Sequence, residues 1–309
     1  MAKKRYRRKH SHHHHAVNEK NLLTATLLNL VITIVEIAGG LLSGSLALLS
    51  DALHNLSDTF ATFIAYLATM VSRREANQKK TFGYKRLEIL AALTNAVILI
   101  VMSVFLMKEA WHRLQNPGTI NSMIMLVVGM IGLLANVYAV LILKKDASKS
   151  INVRAAYVHL IADSLSSVVV IIGGVLIRIY KIDWIDPIIT VLISLYIIRS
   201  GFLILNESVK ILMQSAPEHL DLISIKKKVE QVPEVLNLHH LHAWMLTDQE
   251  IHLEAHVELN TDLKLSQVNP IRQQIEQLLK EDFGIAHITL QMEFKAKHDP
   301  RLIHPSSDR

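Results

Sequence analysis

Asp51-Ala52-Leu53-His54-Asn55-Leu56-Ser57-Asp58 sits inside one apolar run of the chain, and His159-Leu160-Ile161-Ala162-Asp163 sits inside another. Each holds a His and an Asp four positions apart, an interval that puts both side chains on one helix face. A carboxylate near the middle of a membrane helix costs about 2.5–3.5 kcal/mol on insertion scales, so such residues face a partner or a wet cavity. Any one of the four is explained by hydrogen bonding between helices, but their matched repetition is not. Two imidazoles and two carboxylates from two helices make a four-coordinate N/O set for a divalent cation. His54, Asp58, His159 and Asp163 are therefore candidate ligands of an intramembrane metal site. Asp51 lies on nearly the same face and reads equally as an aid to ion entry or proton exchange and as a packing residue. Asn29, Glu36, Asn55 and Asn136 read as hydrogen-bonding groups between helices.

Outward from these motifs, six stretches are long and apolar enough to span a bilayer: roughly 22–42, 46–71, 87–107, 120–143, 155–179 and 184–205. Long apolar runs stop near 215. Half of the 309 residues are hydrophobic, which suits a membrane domain joined to a polar one. The expected organisation is a disordered, basic, His-rich tail over 1–20, a six-helix transmembrane domain over 21–212, a small cytoplasmic α+β domain over 213–296, and a disordered tail over 297–309. His10 and His12–His15 in the first tail read either as a loose metal catch or as a floppy or cloning-derived segment. The first apolar span is too long for a signal-peptide h-region and is followed by five more.

The net charge is +6, and its placement is more informative than its size. Basic residues crowd the N-terminus (Lys3, Lys4, Arg5, Arg7, Arg8, Lys9), the connection after the second span (Arg73, Arg74, Lys79, Lys80, Lys85, Arg86) and the one after the fourth (Lys144, Lys145, Lys149, Arg154). By the positive-inside bias both termini and the C-terminal domain face the cytoplasm. The clusters then serve topology in a lipid bilayer and imply no nucleic-acid partner. With no cysteine in the chain, disulfides and thiolate handling of Cu(I) are excluded.

From about 219 onward the pattern reads α-β-β-α-β. A helix over 219–231 ends near Pro233, and a strand follows over 235–246. Ile251, Leu253, Ala255 and Val257 then alternate with His252, Glu254, His256 and Glu258. A helix over 266–281 carries Val268, Ile271, Ile275, Leu278 and Leu279 on one stripe. In the last strand Ile288, Leu290, Met292 and Phe294 alternate with His287, Thr289, Gln291 and Glu293. This predicts two helices on one face of a three-stranded sheet, a core of about 80 residues that a partner chain would help to stabilise. Nine His lie between 219 and 304, too many for a casual surface. His239, His240, His242, His256, His287 and Glu293 are candidate ligands of a second, cytoplasmic metal site. Pattern alone does not choose among His239, His240 and His242, because His240 falls on the Leu236/Leu238 face unless a bulge intervenes.

Imidazole and carboxylate in fourfold geometry suit Zn2+, with Co2+ and Cd2+ as further fits, over Mg2+ or Ca2+. Imidazole binds metal only when neutral, so protons and metal compete, and an unperturbed His titrates at about pH 6.5. A site exposed alternately to the two sides would load metal where protons are scarce and release it where they are plentiful. His54 and His159, and with them Asp58 and Asp163, are the candidate shared carriers.

Four further stretches complete a pattern: Ser45-Leu-Ala-Leu-Leu-Ser-Asp51 leading into the first motif, Thr81-Phe-Gly-Tyr-Lys-Arg-Leu-Glu88, and His239-His-Leu-His-Ala-Trp244 with Ile288-Thr-Leu-Gln-Met-Glu293. From about 20 to 295 the chain resembles the cation diffusion facilitator family, in its zinc-transporting branch of bacterial zinc, cadmium and cobalt efflux proteins. The resemblance implies a ferredoxin-like or metallochaperone-like cytoplasmic domain, a homodimer, a two-helix pair beside a four-helix transport core, and export of Zn2+ in exchange for protons. It implies a multi-pass protein of the bacterial cytoplasmic (inner) membrane. It also implies cytoplasmic ligands at His239, His256, His287 and Glu293, with His240 and His242 as neighbours. Some relatives carry another site after the second span; this chain has Asn77, Lys80 and Tyr84 there, so no metal is expected. Two rival functions are a membrane metal sensor and an intramembrane metalloenzyme. The second is disfavoured because no His-Glu-x-x-His run occurs and four protein ligands leave no open position.

Overall fold

The structure is a computed structural model that describes residues 19–72, 76–144, 151–295 and 301–303. Six long helices come first: α1 (Glu19–Ser43), α2 (Leu46–Ser72), α3 (Leu87–Gln115), α4 (Ser122–Leu143), α5 (Ile151–Tyr180) and α6 (Ile185–Leu212). They coincide with the six expected spans. Several overrun them, α3 by eight residues through a polar turn in which Arg113 pairs with Glu109. Then follow α7 (Leu222–Val229), β1 (Val235–Met245), β2 (Ile251–Leu259), α8 (Leu265–Phe283) and β3 (His287–Phe294). By internal packing the chain falls into two compact units. One comprises residues through 62 with 97–201; the other comprises 63–96 with those from 202 onward.

The helical part is polar inside and apolar outside, as a bilayer solvent requires. Leu41, Leu42, Phe105, Leu134, Leu165 and Leu192 are well exposed, while Glu36, Asp51, Asn55, Asn136, Asp163 and Asp186 are buried. Among the described residues α3, α4, most of α5 and α6 are each long and apolar enough to cross a membrane. Within α1, Leu27–Ser43 is a shorter apolar stretch of helix.

Small residues set the packing. A Cβ on Gly39 of α1 would lie 2.5 Å from Val128 of α4, so glycine lets these helices approach closely. Between α1 and α2 the chain turns at Gly44, whose φ of +72° is left-handed. The start of α2 is capped from elsewhere in the chain: the Asp186 carboxylate at the start of α6 accepts from Ser45 Oγ at 2.5 Å, Leu46 N at 2.8 Å and Ala47 N at 3.3 Å. That supplies acceptors to orphan N–H groups of α2.

In the C-terminal part, β1 pairs antiparallel with β2 and β2 pairs parallel with β3, in the order β1-β2-β3. The parallel pair needs a crossover, which α8 provides. One core joins Ile225 and Val229 of α7, Val268, Ile275 and Leu279 of α8, and the sheet face bearing Leu238, Leu241, Leu253, Ala255 and Val257. The first helix is shorter than expected because Asp221 caps it, accepting from Ile223 N at 3.0 Å. The Gly284 φ of +68° ends α8.

Strand β1 contains two register shifts, between Val235 and Asn237 and between His239 and His242. The second coincides with His240, whose φ is +49°. This bulge sends both Leu238 and Leu241 into the core although they are three apart, and the first shift leaves Leu236 exposed, off the Leu238 face. Of the expected tails, residues 1–18, 297–300 and 304–309 lie outside the described residues. Glu19 and Lys20 belong to α1. Residues 301–302 run beside the bulge, where their carbonyls accept from His240 N and Leu241 N.

Candidate metal centres

The periodicity of α2 presents His54 and Asp58 together, and that of α5 presents His159 and Asp163. The fold brings both pairs to one point. Asp58 Oδ2 lies 3.5 Å from His54 Nε2 and 3.1 Å from His159 Nε2. Asp163 Oδ2 lies 3.5 Å from His159 Nε2, and its Oδ1 lies 4.0 Å from His54 Nε2. Ligand atoms bound at 2.0–2.2 Å in a tetrahedron sit about 3.3–3.6 Å apart, so these separations bracket a tetrahedral ion. Asp163 is buried and neither of its oxygens accepts a hydrogen bond among the described residues, which fits a cation-binding role. His159 has 38% of its side chain exposed against 1% for Asp163, so the cluster is open on one side and closed on the other. The Tyr196 ring of α6 stands edge-on to His54 with centroids 6.4 Å apart, a contact with no signal in the motif. Asp51 belongs to a different set of contacts: it accepts from Ser166 Oγ at 2.6 Å.

In the C-terminal part β1, β2 and β3 bring His239, His256 and Glu293 together on the sheet face opposite the helices. Glu293 Oε1 lies 2.8 Å from His256 Nδ1, and its Oε2 lies 3.5 Å from His239 Nε2. Of the three histidines of β1, the bulge brings His239 within 3.5 Å of Glu293. It puts His239 opposite His256 and sends His242 on to pair with Glu254. His240 stacks on His256 with centroids 4.7 Å apart, and His242 stands edge-on to His240.

His287 is elsewhere. Register pairs it with His252, while His256 faces Gln291. Four residues of strand separate the two rows, about 13 Å at 3.3 Å per residue. Sequence parity put His287 and Glu293 on one polar face correctly but could not show that they lie at opposite ends of it. The His287 ring, with Trp244, lies against His252, with centroids 4.9 and 5.5 Å away. His252 is thereby buried although it alternates as a surface residue. Its neighbour Glu250 meets Lys85 Nζ at 2.5 Å. Burial pushes the Glu250 carboxyl up, but Lys85 and His252 outweigh it and hold it below the usual carboxylate range. Phe82 also reaches His252, edge-on at 5.7 Å. Pattern gave no hint of this cluster, because its members come from three distant stretches.

After the second span, Asn77 Oδ1 accepts from Lys79 N and Lys80 N at 3.0 Å, and Lys80 Nζ sits 4.1 Å from the Tyr84 ring centroid. Asn77, Lys80 and Tyr84 thus engage one another and their neighbours.

Both parts match known families. Residues 22–213 match the cation efflux transmembrane domain and 217–295 match the cation efflux protein cytoplasmic domain. The chain is 37% identical over 294 residues to a cadmium, cobalt and zinc/H(+)-K(+) antiporter of Bacillus subtilis, covering 94% of each. It is 38% identical over 287 residues to the metal cation efflux system protein CzcD of Cupriavidus metallidurans, covering 92% of this chain and 89% of the relative. It is 36% identical over 299 residues to the zinc transporter ZitB of Escherichia coli, covering 94% of each. A helical membrane part followed by a three-stranded α+β domain, matched end to end by these relatives, is that of a transporter and not of an enzyme: this chain belongs to the cation efflux, or cation diffusion facilitator, family.

Proposed function

We propose that this protein exports Zn2+ from the cytoplasm in exchange for protons, and that it accepts Cd2+ and Co2+ as well. The observation that carries the reading is the convergence of His54, Asp58, His159 and Asp163 inside the helical part. The names of the relatives, which include zinc, cadmium, cobalt and H(+), support the cargo and the counter-ion. Two carboxylates cancel the charge of a dication, so a loaded site costs little in a low-dielectric interior. The His rings bind the ion only when neutral, so acid on the release side displaces it. Four protein ligands hold the cargo and leave no position for a reacting water, which separates this site from a hydrolytic zinc centre.

The transport domain is taken as 21–212 and the cytoplasmic domain as 213–296. With basic connections inside, both termini face the cytoplasm, and the relatives are consistent with a bacterial inner membrane. The protein acts as a homodimer. His239, His256 and Glu293 form the cytoplasmic metal site, where metal cancels the mutual cost of crowded ligands and favours docking of two subunits. His240 and His242 stand beside it, and His287, expected as its fourth ligand, lies in the row of His252 instead.

Proteoliposome flux under an imposed pH gradient tests the reading. Zn2+ uptake should follow the gradient in the wild type and stop in Asp58→Ala. Uptake that ignores the gradient sinks the exchange. A protein that binds Zn2+ and signals without moving it is the sensor alternative.

A further inference from the structure

Glu36 of α1 is about as buried as any residue of the membrane part, at 1% exposure. Its Oε2 accepts a hydrogen bond from Asn55 Nδ2 of α2 at 2.9 Å. Its Oε1 receives no hydrogen bond among the described residues. That oxygen points at Gly132 of α4, where an added Cβ would stand 2.6 Å away. Glycine at this position leaves the space the carboxyl occupies. The Asn55 amide oxygen and both amide atoms of Asn136, one turn beyond Gly132, are buried without partners in the same way. The charged groups that bear on Glu36 are Asp51 of α2 and Asp163 of α5, both of its own sign. From α4 it meets Gly132 and a helix face carrying Asn136, neither of which titrates.

A carboxylate buried in hydrocarbon with one donor and no countercharge is expensive. Hydrogen bonding between helices, the ordinary role of such a residue, would have satisfied both oxygens. We propose that Glu36 is a proton-binding site separate from the four-ligand cage, and that its proton leaves when the cage takes up a dication. The inference rests on the cage being the transport site. A dication entering the cage brings positive charge close to Glu36 and favours its ionised form, and one proton departs from Glu36 to solvent. When the ion is released, the proton returns. Asn55, bonded to Glu36 and next in sequence to His54, ties the two events to one turn of α2.

The test is infrared difference spectroscopy of the full chain in lipid, metal-free against Zn2+-loaded, with proton release read by an indicator dye. Wild type should lose a protonated-carboxyl C=O band on Zn2+ addition. Glu36→Gln, which has the shape of the neutral acid, should lack that component and release fewer protons, by up to one per chain. It should still bind Zn2+, because the cage is intact, but about tenfold more weakly than wild type, because the coupled proton release is gone. An unchanged band or unchanged proton release in Glu36→Gln overturns the proposal. If that variant does not fold, Glu36→Asp should shift the band, and an unshifted band overturns it equally. Wild type that binds Zn2+ without transporting it defeats the transport reading alone; wild type that binds none defeats both.

Discussion

The two candidate metal centres use the same side chains in different settings. The helical one draws two His and two Asp from two helices, and its deepest carboxylate is 1% exposed. The sheet one draws two His and one Glu from three strands, with the His239, Glu293 and His256 side chains 3%, 6% and 22% exposed and His240 stacked beside it. Charge explains the difference. A dication with two carboxylates is neutral, and a centre inside a bilayer has to be close to neutral. A dication with one carboxylate keeps a unit charge, which a further anionic ligand or solvent reached past the partly exposed His256 has to meet. The first composition suits a site that must load and empty within the membrane.

Asp163→Ala breaks the comparison most sharply. It leaves a would-be positive charge in the membrane, and Zn2+ flux should fall by more than about 100-fold, since even outer-shell losses cost 10–100-fold. Flux near wild type would place the transported ion elsewhere. The paired change His256→Ala with Glu293→Ala should behave differently. Calorimetry on the full chain should lose one class of Zn2+ site, activation by Zn2+ should weaken by about 10–100-fold in effective concentration, and maximal flux should persist. Flux abolished in this variant would make the sheet cluster part of the transport path.

Asp186→Ala touches no ligand and sharpens the helical side of the comparison. It removes three acceptor contacts at the start of α2. A cap loss costs about 0.5–2 kcal/mol, so thermal unfolding of the helical part should shift while the sheet centre keeps its Zn2+ affinity. The smallest effect belongs to Glu250→Gln beside the sheet. The folded-state Glu250 carboxyl is held below its ordinary value. Its contribution is therefore present above the unfolded value of about 4.3 and lost as pH falls through the folded one. Being partly exposed, the pair is worth under about 1 kcal/mol. The wild-type advantage in melting temperature should be small at pH 7 and vanish in acid; an advantage that grows in acid would reverse the sign argued here.

The His54/Asp58 and His159/Asp163 pairs were legible because a helix repeats every 3.6 residues, whatever surrounds it. Six spans were legible because a bilayer fixes their length. The alternation of β2 gave its core face, Ile251 to Val257, for the same local reason. What local pattern could not carry is which ligands meet. A one-residue bulge at His240 decides that His239 faces His256. The parallel register of β3 decides that His287 sits a full row away from Glu293's partner. The Asp186 cap on α2 and the space that Gly132 leaves for Glu36 join positions about 140 and 96 residues apart in the chain.

By itself, the sequence determined the elements, the membrane character and a His/Asp set suited to a dication, since each depends on periodicity or composition along a short stretch. Only the tertiary structure decided that His54, His159 and Asp163 cluster with Asp58 against both imidazoles, that the sheet cluster holds three of its four expected members, and that a carboxyl of α1 lies buried against α4. Those are distances between segments far apart in sequence, and they follow from packing and register.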